Sequence, residues 1–267
     1  MLLKTMVALL VFSPGQMNDE FYQDFRGGTS IHPALVQFGA GPAGTIRQEA
    51  EGLCITLPSN RKDRSAVGVS PRFCLSGDFE VTVAYEVVSA EEPSRGPGAG
   101  IKIWGKLGSE PFQALTVAHL IRPKEGAGFV AIHGHERGGK RRFKTEWLPT
   151  AAKKGRLRLA RTGSEVSFLA AEGEAETFQE IQRVQVGTSD VTSLRIPVTT
   201  EEAPSGLCVR LVDLCIRADD LPAARAQVRK GRAWGWVVVC GLVVAISGAG
   251  GFVLWQRHRR GAAGKRS

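Results

Sequence analysis

Three glutamates at alternate positions are the clearest group of residues whose spacing suits catalysis. Glu172, Glu174 and Glu176 lie two residues apart, so an extended strand would place their carboxylates on one face. Two carboxyl groups about 5 Å apart can act as nucleophile and acid in the hydrolysis of a glycosidic bond. The run also fits a solvated charged loop, and this is the interpretation that we favour.

Two histidines come nearest to a metal site. His133 and His135 would share one face of a strand and could bind one metal ion. Because no further histidine or cysteine lies nearby in the sequence, the set is incomplete, and we expect an exposed strand end. No serine-nucleophile, phosphate-loop or dinucleotide motif is present, and we interpret the glycine-rich run 39–44 as a loop.

A basic segment is the most unusual surface feature. Between Arg137 and Arg161 there are ten lysines and arginines but only one acid, Glu146, with Trp147 in the middle. Such a segment could present cations and an aromatic ring to an acidic polysaccharide or a phospholipid surface. The predicted ligand-binding residues are Trp147, Arg141, Arg142 and Lys144. The alternative is a solvated charged face, neutralised by the acidic stretch 172–180.

The stretch that must position these side chains is dominated by alternation of apolar and polar residues, as in strands with one buried face. The clearest case is the segment 77–88, in which apolar residues occupy every second position. These are Phe79, Val81, Val83, Tyr85 and Val87. About a dozen such segments, separated by glycine- and proline-rich turns, predict an all-β sandwich or barrel. Trp104 lies in one of them, and we expect it to be a core residue.

An uncharged apolar segment runs from Trp234 to Trp255. About 20 apolar residues in a helix cross a hydrocarbon core of about 30 Å. Tryptophans stand at both ends, where amphipathic rings favour the headgroup level. The sequence therefore predicts one transmembrane helix over 234–255, with a long buried helix as the alternative. Gly241, Ala245 and Ala249 would share one face of it, and this spacing of small residues favours a homodimer through the helix.

The N-terminus determines the expected orientation, because lysines and arginines are nearly balanced on the two sides of the apolar segment. Lys4, the apolar run 6–12 and the small residues Ser13 and Gly15 predict a signal peptide over 1–15. The alternative is a first buried strand or a misassigned start codon.

Of the net charge of +9, five positive charges follow the apolar segment, which membrane topology explains better than phosphate binding. We therefore expect no nucleic-acid partner.

Four cysteines precede the apolar segment, and a fifth, Cys240, lies within it. The four are Cys54, Cys74, Cys208 and Cys215. They allow three pairings, among which the spacing alone cannot choose. Because the sequence around them is apolar, buried free thiols fit as well as disulfides do.

Several segments carry a resemblance to a known family. They are FYQDFRG (21–27), GDFEVTVAYE (77–86), GRLRLARTGSEVSFLAAEG (155–173), VTSLRI (191–196) and LCIRADDLP (214–222). Together they resemble an uncharacterised family of planctomycete proteins, a domain of unknown function similar to concanavalin A-like (laminin-G-like) sandwiches. The resemblance implies two antiparallel sheets in a jelly roll, with the first and last strands adjacent, and it implies no activity.

The same resemblance bears on catalysis and cofactors. Glycoside hydrolases of that fold class typically carry a Glu-x-Asp-x-(x)-Glu run on one strand, and the run 172–176 lacks the central aspartate. Related sandwiches often use calcium, but no feature of this sequence identifies a calcium site. We therefore predict no cofactor and no metal.

The predicted organisation has five parts: a signal peptide (1–15), a concanavalin A-like jelly-roll β-sandwich (16–220), a basic juxtamembrane linker (221–233), the transmembrane helix (234–255) and a basic cytoplasmic tail (256–267). The predicted location is the cell membrane, with the sandwich outside the cytoplasm and the C-terminus inside. We predict a recognition module without catalysis that binds a glycan or a protein at the cell envelope, the partners being the membrane and an acidic glycan or envelope protein. The alternatives are a structural envelope component and, third, a membrane-bound glycoside hydrolase.

Overall fold

The computed structural model describes residues 17–39, 45–108, 111–201, 203 and 205–221. Within these residues no helix is long and apolar enough to cross a membrane. The predicted signal peptide, the helix over 234–255 with Gly241, Ala245 and Ala249, and the basic tail all lie outside the described residues, as does the linker beyond Leu221. These remain predictions.

The described residues form a sandwich of two antiparallel sheets. In spatial order the first sheet consists of β13 (Gln179–Gln185), β12 (Glu165–Glu172), β11 (Lys154–Thr162), β6 (Ser76–Ala90), β15 (Leu207–Asp220), β4 (Gly52–Leu57) and β3 (Ile46–Glu49), and β1 (Asp19–Asp24) also pairs with β15. The second sheet consists of β10 (Lys140–Pro149), β9 (Gly126–Arg137), β8 (Gln113–Arg122), β7 (Ala99–Leu107), β14 (Val191–Thr199), β5 (Val67–Pro71) and β2 (Leu35–Phe38). The prediction of an all-β sandwich is confirmed, and the first and last strands are adjacent.

The core lies between the two sheets because each strand directs alternate side chains inward. On β6, for example, the apolar side of the alternation is buried: Phe79, Val81 and Val83 have no exposed surface. Inward residues from both sheets join into one apolar cluster. Burial of this kind stabilises the fold by about 25 cal/mol for each Å² of apolar surface removed from water. Because a shift of one residue would turn every buried side chain of a strand to the solvent, this energy strongly favours one register.

Two irregularities position the candidate sites. Gly138 and Gly139 both have positive φ, at 62° and 71°, and form the two-residue turn that brings β10 back along β9. On β15 the register shifts between Leu211 and Asp213. At that point the edge of β15 changes partner from β4 to β1, and the Phe25 backbone N–H donates to the carbonyl of Val212 at 3.0 Å.

Two polar side chains are fully enclosed by the sandwich. Arg161 has no exposed surface and donates hydrogen bonds to the carbonyl oxygens of Gly77 and Ser189. His119 is 1 % exposed, and its ring lies between Tyr85 and Phe129, with centroid distances of 5.4 and 5.6 Å. Burial lowers the pKa of His119 to about 4, so the imidazole is neutral at neutral pH.

Candidate functional site

The outer face of the second sheet carries aromatic and basic side chains, in contrast to its apolar inner face. On β7 the inward residues are Ile101 and Ile103, which are fully buried, whereas Lys102, Trp104 and Lys106 alternate with them and are half-buried. Trp104 therefore lies outside the core, and the prediction that it is a core residue is wrong. The reason is parity, because Trp104 shares its face of the strand with two lysines.

The four predicted ligand-binding residues all lie on β10, but its alternation divides them between two faces. Trp147 pairs with Val130 and Arg141 with Glu136, on the outer face, whereas Arg142 and Lys144 pair with His135 and His133 on the opposite face. Arg141 and Trp147 are six positions apart, which corresponds to about 20 Å along a strand. The structure thus brings Trp147 and Arg141 into one row without joining them in one pocket.

Trp147 lies flat against the sheet at one end of this row. A Cβ atom at Gly128 would come within 2.3 Å of its ring, so the ring requires the bare backbone beneath it. Ala118, Leu120 and Val130 form an apolar patch with which the half-buried ring packs. The Arg122 guanidinium carbon lies 4.5 Å from the ring centroid, in a cation–π contact. Trp147 therefore supports the Arg122 guanidinium at the surface.

Substitution at Gly128 should displace that ring. We expect Gly128→Ala to rotate Trp147 off the sheet, to red-shift tryptophan emission and to lower the free energy of unfolding by about 1–2 kcal/mol. The control is Gly105→Ala, where a Cβ would meet no atom closer than 3.6 Å. Unchanged emission and stability in Gly128→Ala would contradict this description of the Trp147 site.

A second aromatic group lies at the other end of the row. Phe143 is 62 % exposed, and its ring lies over Gly134, where a Cβ would approach it to 2.8 Å. Phe112 meets it edge-on, with centroids 6.4 Å apart, and the Arg141 guanidinium carbon lies 4.4 Å from the Phe112 centroid. Phe143 thus presents an open, flat apolar surface beside a stacked guanidinium.

A small cavity of about 190 Å³ opens on the same face near β2. Its walls include Phe38, Trp104 and Arg195, whose guanidinium carbon lies 5.4 and 5.8 Å from the two ring centroids. Lys102 and Glu201 also line it and form a salt bridge. Neither Arg195 nor Arg141 forms a salt bridge with any of the described residues. Both guanidinium groups are therefore available to an anionic ligand.

Carboxylates converge on the other side of the molecule, on the outer face of the first sheet. Asp24 and Asp213 are directly opposite each other on β1 and β15, so their Cβ atoms are about 4.5–5.5 Å apart. The Arg26 side chain and backbone N–H donate hydrogen bonds to Asp24 at 2.8–3.0 Å and lower its pKa. Burial raises the pKa of Asp213. The two carboxyl groups therefore differ in proton affinity, as an acid and a base must.

Asp213 and Arg26 line a larger cavity, of about 440 Å³. Glu174 and Glu176 also line it; both are exposed and follow β12 in a loop, where Lys154 lies 3.2 Å from Glu174. Glu172 ends β12 and accepts a hydrogen bond from Thr150. The three glutamates are thus exposed at a strand end and loop, and the carboxyl pair beside the cavity comes from two other strands.

The paired histidines lie toward the inner side of β9. His133 and His135 have ring centroids 5.1 Å apart. Burial, the neighbouring His135 and Lys144 lower the pKa of His133, and a cation beside a ring also disfavours metal binding. Among the described residues no three His, Cys, Asp or Glu side chains are grouped as metal ligands.

Comparison with known families identifies the chain. It belongs to a family of proteins of unknown function, because the model of the DUF1583 C domain matches residues 2–232. This confirms the resemblance to a domain of unknown function, whereas the planctomycete origin remains a prediction. No curated protein is similar to the chain in sequence.

Solved structures share the sandwich fold at low sequence identity. A legume lectin-like domain from Entamoeba histolytica has a TM-score of 0.50 and 11 % identity, and the match covers 73 % of this chain and 96 % of that one. The Crh5 transglycosylase has a TM-score of 0.49 and 12 % identity over 78 % and 87 % of the two chains. A β-1,3-1,4-glucanase (lichenase) from a mouse hindgut metagenome has a TM-score of 0.49 and 8 % identity, and the match covers 75 % of this chain and 99 % of that one. At these identities the likeness concerns the fold alone.

The similar structures contradict the prediction that the chain is not an enzyme. A transglycosylase and a lichenase are among them, so the prediction is corrected. The likeness is one of fold and assigns no activity to this chain. The prediction depended on local motifs, among them the glutamate run 172–176 and the pair His133 and His135, whereas carboxyl groups can converge from strands that are far apart in the sequence. Asp24 and Asp213 are such a pair.

Several residues of these sites were not identified from the sequence. On the second sheet they are Phe38, Lys102, Phe112, Arg122, Phe143 and Arg195. Parity could have indicated Phe143, because it alternates with Arg142 and Lys144 on the same strand as Trp147. No local signal could have paired Asp24 with Asp213, because their strands, although neighbours in the sheet, are the first and the last in the sequence.

Proposed function

We propose that the chain binds an acidic glycan on the outer face of its second sheet. The observation that carries this proposal is the row from Phe143 to Trp147, in which each of these two rings packs over a glycine. Arg122 stacks on Trp147, and Arg141 stacks on Phe112 next to Phe143. A flat apolar ring suits the C–H face of a sugar, and a guanidinium suits a carboxylate or sulfate on it. The fold shared with a legume lectin-like domain is consistent with this function.

The length of the row favours an extended ligand. Arg141 and Trp147 are about 20 Å apart along β10, and the cavity beside Trp104 lies further across the same sheet. An extended acidic chain could contact both ends of the row, whereas a single sugar would contact one. Arg122 is held by Trp147 and also contacts Glu125 at 3.2 Å, so Arg141 and Phe143 are expected to contribute most to binding.

The test is retention of the chain on acidic and neutral polysaccharides at two salt concentrations. We expect retention on the acidic polymer that weakens at the higher salt, because exposed charges are screened. Phe143→Ala and Arg141→Ala should each weaken binding at least about ten-fold, or 1.4 kcal/mol. Lys144→Ala is the matched control, because it removes a cation from the same strand on the opposite face.

Two results would count against glycan binding at this face. One is equal loss of affinity in Lys144→Ala and Arg141→Ala, which would indicate nonspecific attraction to the basic segment. The other is the absence of retention on every polysaccharide and envelope fraction. In that case a structural component of the envelope would be the better interpretation.

The second candidate function is hydrolysis or transfer of a glycosidic bond at the first sheet. The specific observation in its favour is the pair formed by Asp24 and Asp213, whose pKa values are shifted in opposite directions. Asp213 and Arg26, the partner of Asp24, line the cavity of about 440 Å³. Tyr22 lies on the same face of β1 and is 51 % exposed, so it offers a ring next to the carboxyl groups. In this scheme Asp24, ionised, is the nucleophile or base and Asp213, protonated, is the acid.

The test of this second candidate is the release of products from oligosaccharides labelled at the reducing end. The rate should fall as the pH falls through the pKa of Asp24, because the base is then protonated, and as the pH rises through that of Asp213, because the acid is lost. Asp213→Asn should lower the rate on the order of 100-fold. Glu20→Gln, on the same face of β1, is the control. Equal rates in Asp213→Asn and wild type would exclude the pair.

We also propose that the segment 234–255 anchors the chain in a membrane with the sandwich outside the cytoplasm. Its support is the uncharged apolar stretch flanked by tryptophans and the N-terminal sequence 1–15. Membrane fractions washed with alkaline carbonate should retain the full-length chain. The same wash should release a truncated chain that ends at residue 233. Protease added to intact cells should remove the sandwich. Protection of the sandwich, or its release by carbonate, would contradict this proposal.

A further inference from the structure

Two cysteines from distant parts of the chain are in contact on the first sheet. Cys54 lies on β4 and Cys208 on β15, and their Sγ atoms are 3.1 Å apart. This is about 1 Å longer than a disulfide bond of about 2.05 Å. Both thiols are unbonded in the structure. Cys74 is exposed on a separate segment and Cys215 lies further along β15, so neither has such a partner among the described residues.

We propose that Cys54 and Cys208 are a site of disulfide formation that links β4 to β15. The two strands are neighbours in antiparallel register, with Cys54 opposite Arg210 and Cys208 opposite Thr56. The two side chains are therefore diagonal neighbours on one face, and closing the bond requires the two sulfur atoms to approach each other by about 1 Å. This inference is independent of the proposed glycan site, which lies on the other sheet.

The chemistry can be written with oxidised glutathione as the oxidant. The thiolate of Cys208, the more exposed of the two, attacks one glutathione sulfur and releases the other glutathione as a thiolate. The Cys54 thiol then loses its proton, and its sulfur attacks Cys208 Sγ and releases the second glutathione thiolate. Two protein thiols are oxidised, and one glutathione disulfide is reduced to two thiols.

The surroundings predict which step is slow. Cys54 is 4 % exposed, and burial, followed by its contact with Cys208, raises the pKa of the Cys54 thiol to about 11. Glu49 also faces it and acts in the same direction, whereas the hydroxyl of Thr56 acts against it. Arg210, opposite Cys54, is engaged by Glu49 and Glu86. Ring closure by Cys54 should therefore limit the rate, which should increase with pH because the thiolate is the attacking species.

The bond would close a long loop. Cys54 and Cys208 are 154 positions apart, so the cross-link constrains most of the domain in the unfolded state. It would also fasten β4 to the strand that carries Asp213 and pairs with β1. We expect the oxidised chain to melt on the order of 10 °C above the reduced chain.

The experiment equilibrates the full wild-type chain in glutathione buffers of rising oxidised fraction, traps free thiols by alkylation and maps the peptides without reduction. We expect one cross-linked species, Cys54 with Cys208, while Cys74 and Cys215 form no cross-link and carry either the alkyl group or a single glutathione. Alkylation of Cys54 and Cys208 in a folded chain at the most oxidising buffer would overturn the proposal, as would linkage of either to Cys74 or Cys215.

Variants provide a second readout. Cys208→Ser should abolish the difference in melting temperature between oxidised and reduced chains, and Cys74→Ser should preserve it. Because the readout is a difference within each variant, a general loss of stability in Cys208→Ser does not obscure it. An oxidation-dependent shift that persists in Cys208→Ser would contradict the assignment.

Discussion

Arg161→Met should lower the free energy of unfolding by about 4 kcal/mol. The substitution removes the donors that satisfy the carbonyl oxygens of Gly77 and Ser189 and leaves these acceptors buried. The charge is costly to bury, and burial lowers the pKa of Arg161, so removing it recovers some desolvation energy. Two unpaired carbonyls and the lost attraction of Asp190 and two neighbouring aspartates outweigh that recovery. Urea denaturation of both proteins measures the difference.

The matched control for this prediction is Arg183→Met. Arg183 is exposed and contacts Glu180 at 2.7 Å, and a surface pair contributes about 0–1 kcal/mol. The two variants remove the same side chain, so the comparison separates burial from the general effect of losing an arginine. If the free energies of unfolding of Arg161→Met and Arg183→Met differed by less than about 0.5 kcal/mol, the buried arginine would not have the role described.

The free energy of unfolding should decrease between pH 6.5 and pH 4, and His119 should account for up to about 3 kcal/mol of that decrease. Burial lowers the folded-state pKa of His119 to about 4, whereas an unfolded histidine titrates near 6.5. Between these values the unfolded chain binds more protons than the folded one. Stability from His119 is therefore complete above about pH 6.5 and is lost as the pH falls to about 4.

Replacing the titrating ring isolates this effect. His119→Phe keeps an aromatic ring between Tyr85 and Phe129 and removes the proton site. Denaturation at pH 7 and pH 4 should show a loss about 3 kcal/mol smaller in the variant than in wild type. The carboxyl groups titrate in both proteins and cancel in this comparison. If the free energy of unfolding fell by the same amount in both proteins, the folded state would not lower the pKa of His119.

The fold was largely readable from the sequence because alternation is a local signal. The inward positions of β6 followed directly from the segment 77–88, and they are the buried ones. Trp104 was misassigned although the same rule applied. In GIKIWGKL the two isoleucines share one parity and Trp104 shares the other with the lysines. Its position in an alternating segment indicates a strand but does not by itself indicate the buried face.

The candidate sites were less predictable because they depend on pairing between distant segments. Trp147 and Arg141 were identified on β10, but Arg122 and Phe112 reach them from a strand whose position depends on the sheet order. Asp24 faces Asp213 across β1 and β15. Asp213 lies two positions after the buried Leu211, and the register of β15 against β6 shifts between these two residues. A pattern of one residue in two cannot reveal a bulge, since the bulge breaks that pattern.

The most direct test of glycan binding at the second sheet is a titration observed through the tryptophan side chains. Trp104 and Trp147 are the tryptophans of the described residues, and Trp→Phe variants assign their indole N–H signals in the NMR spectrum. We expect an acidic oligosaccharide to shift both signals with one common dissociation constant, and a neutral one of equal length to shift them little. Binding of the acidic oligosaccharide that leaves both signals in place would contradict the extended glycan site proposed for this face.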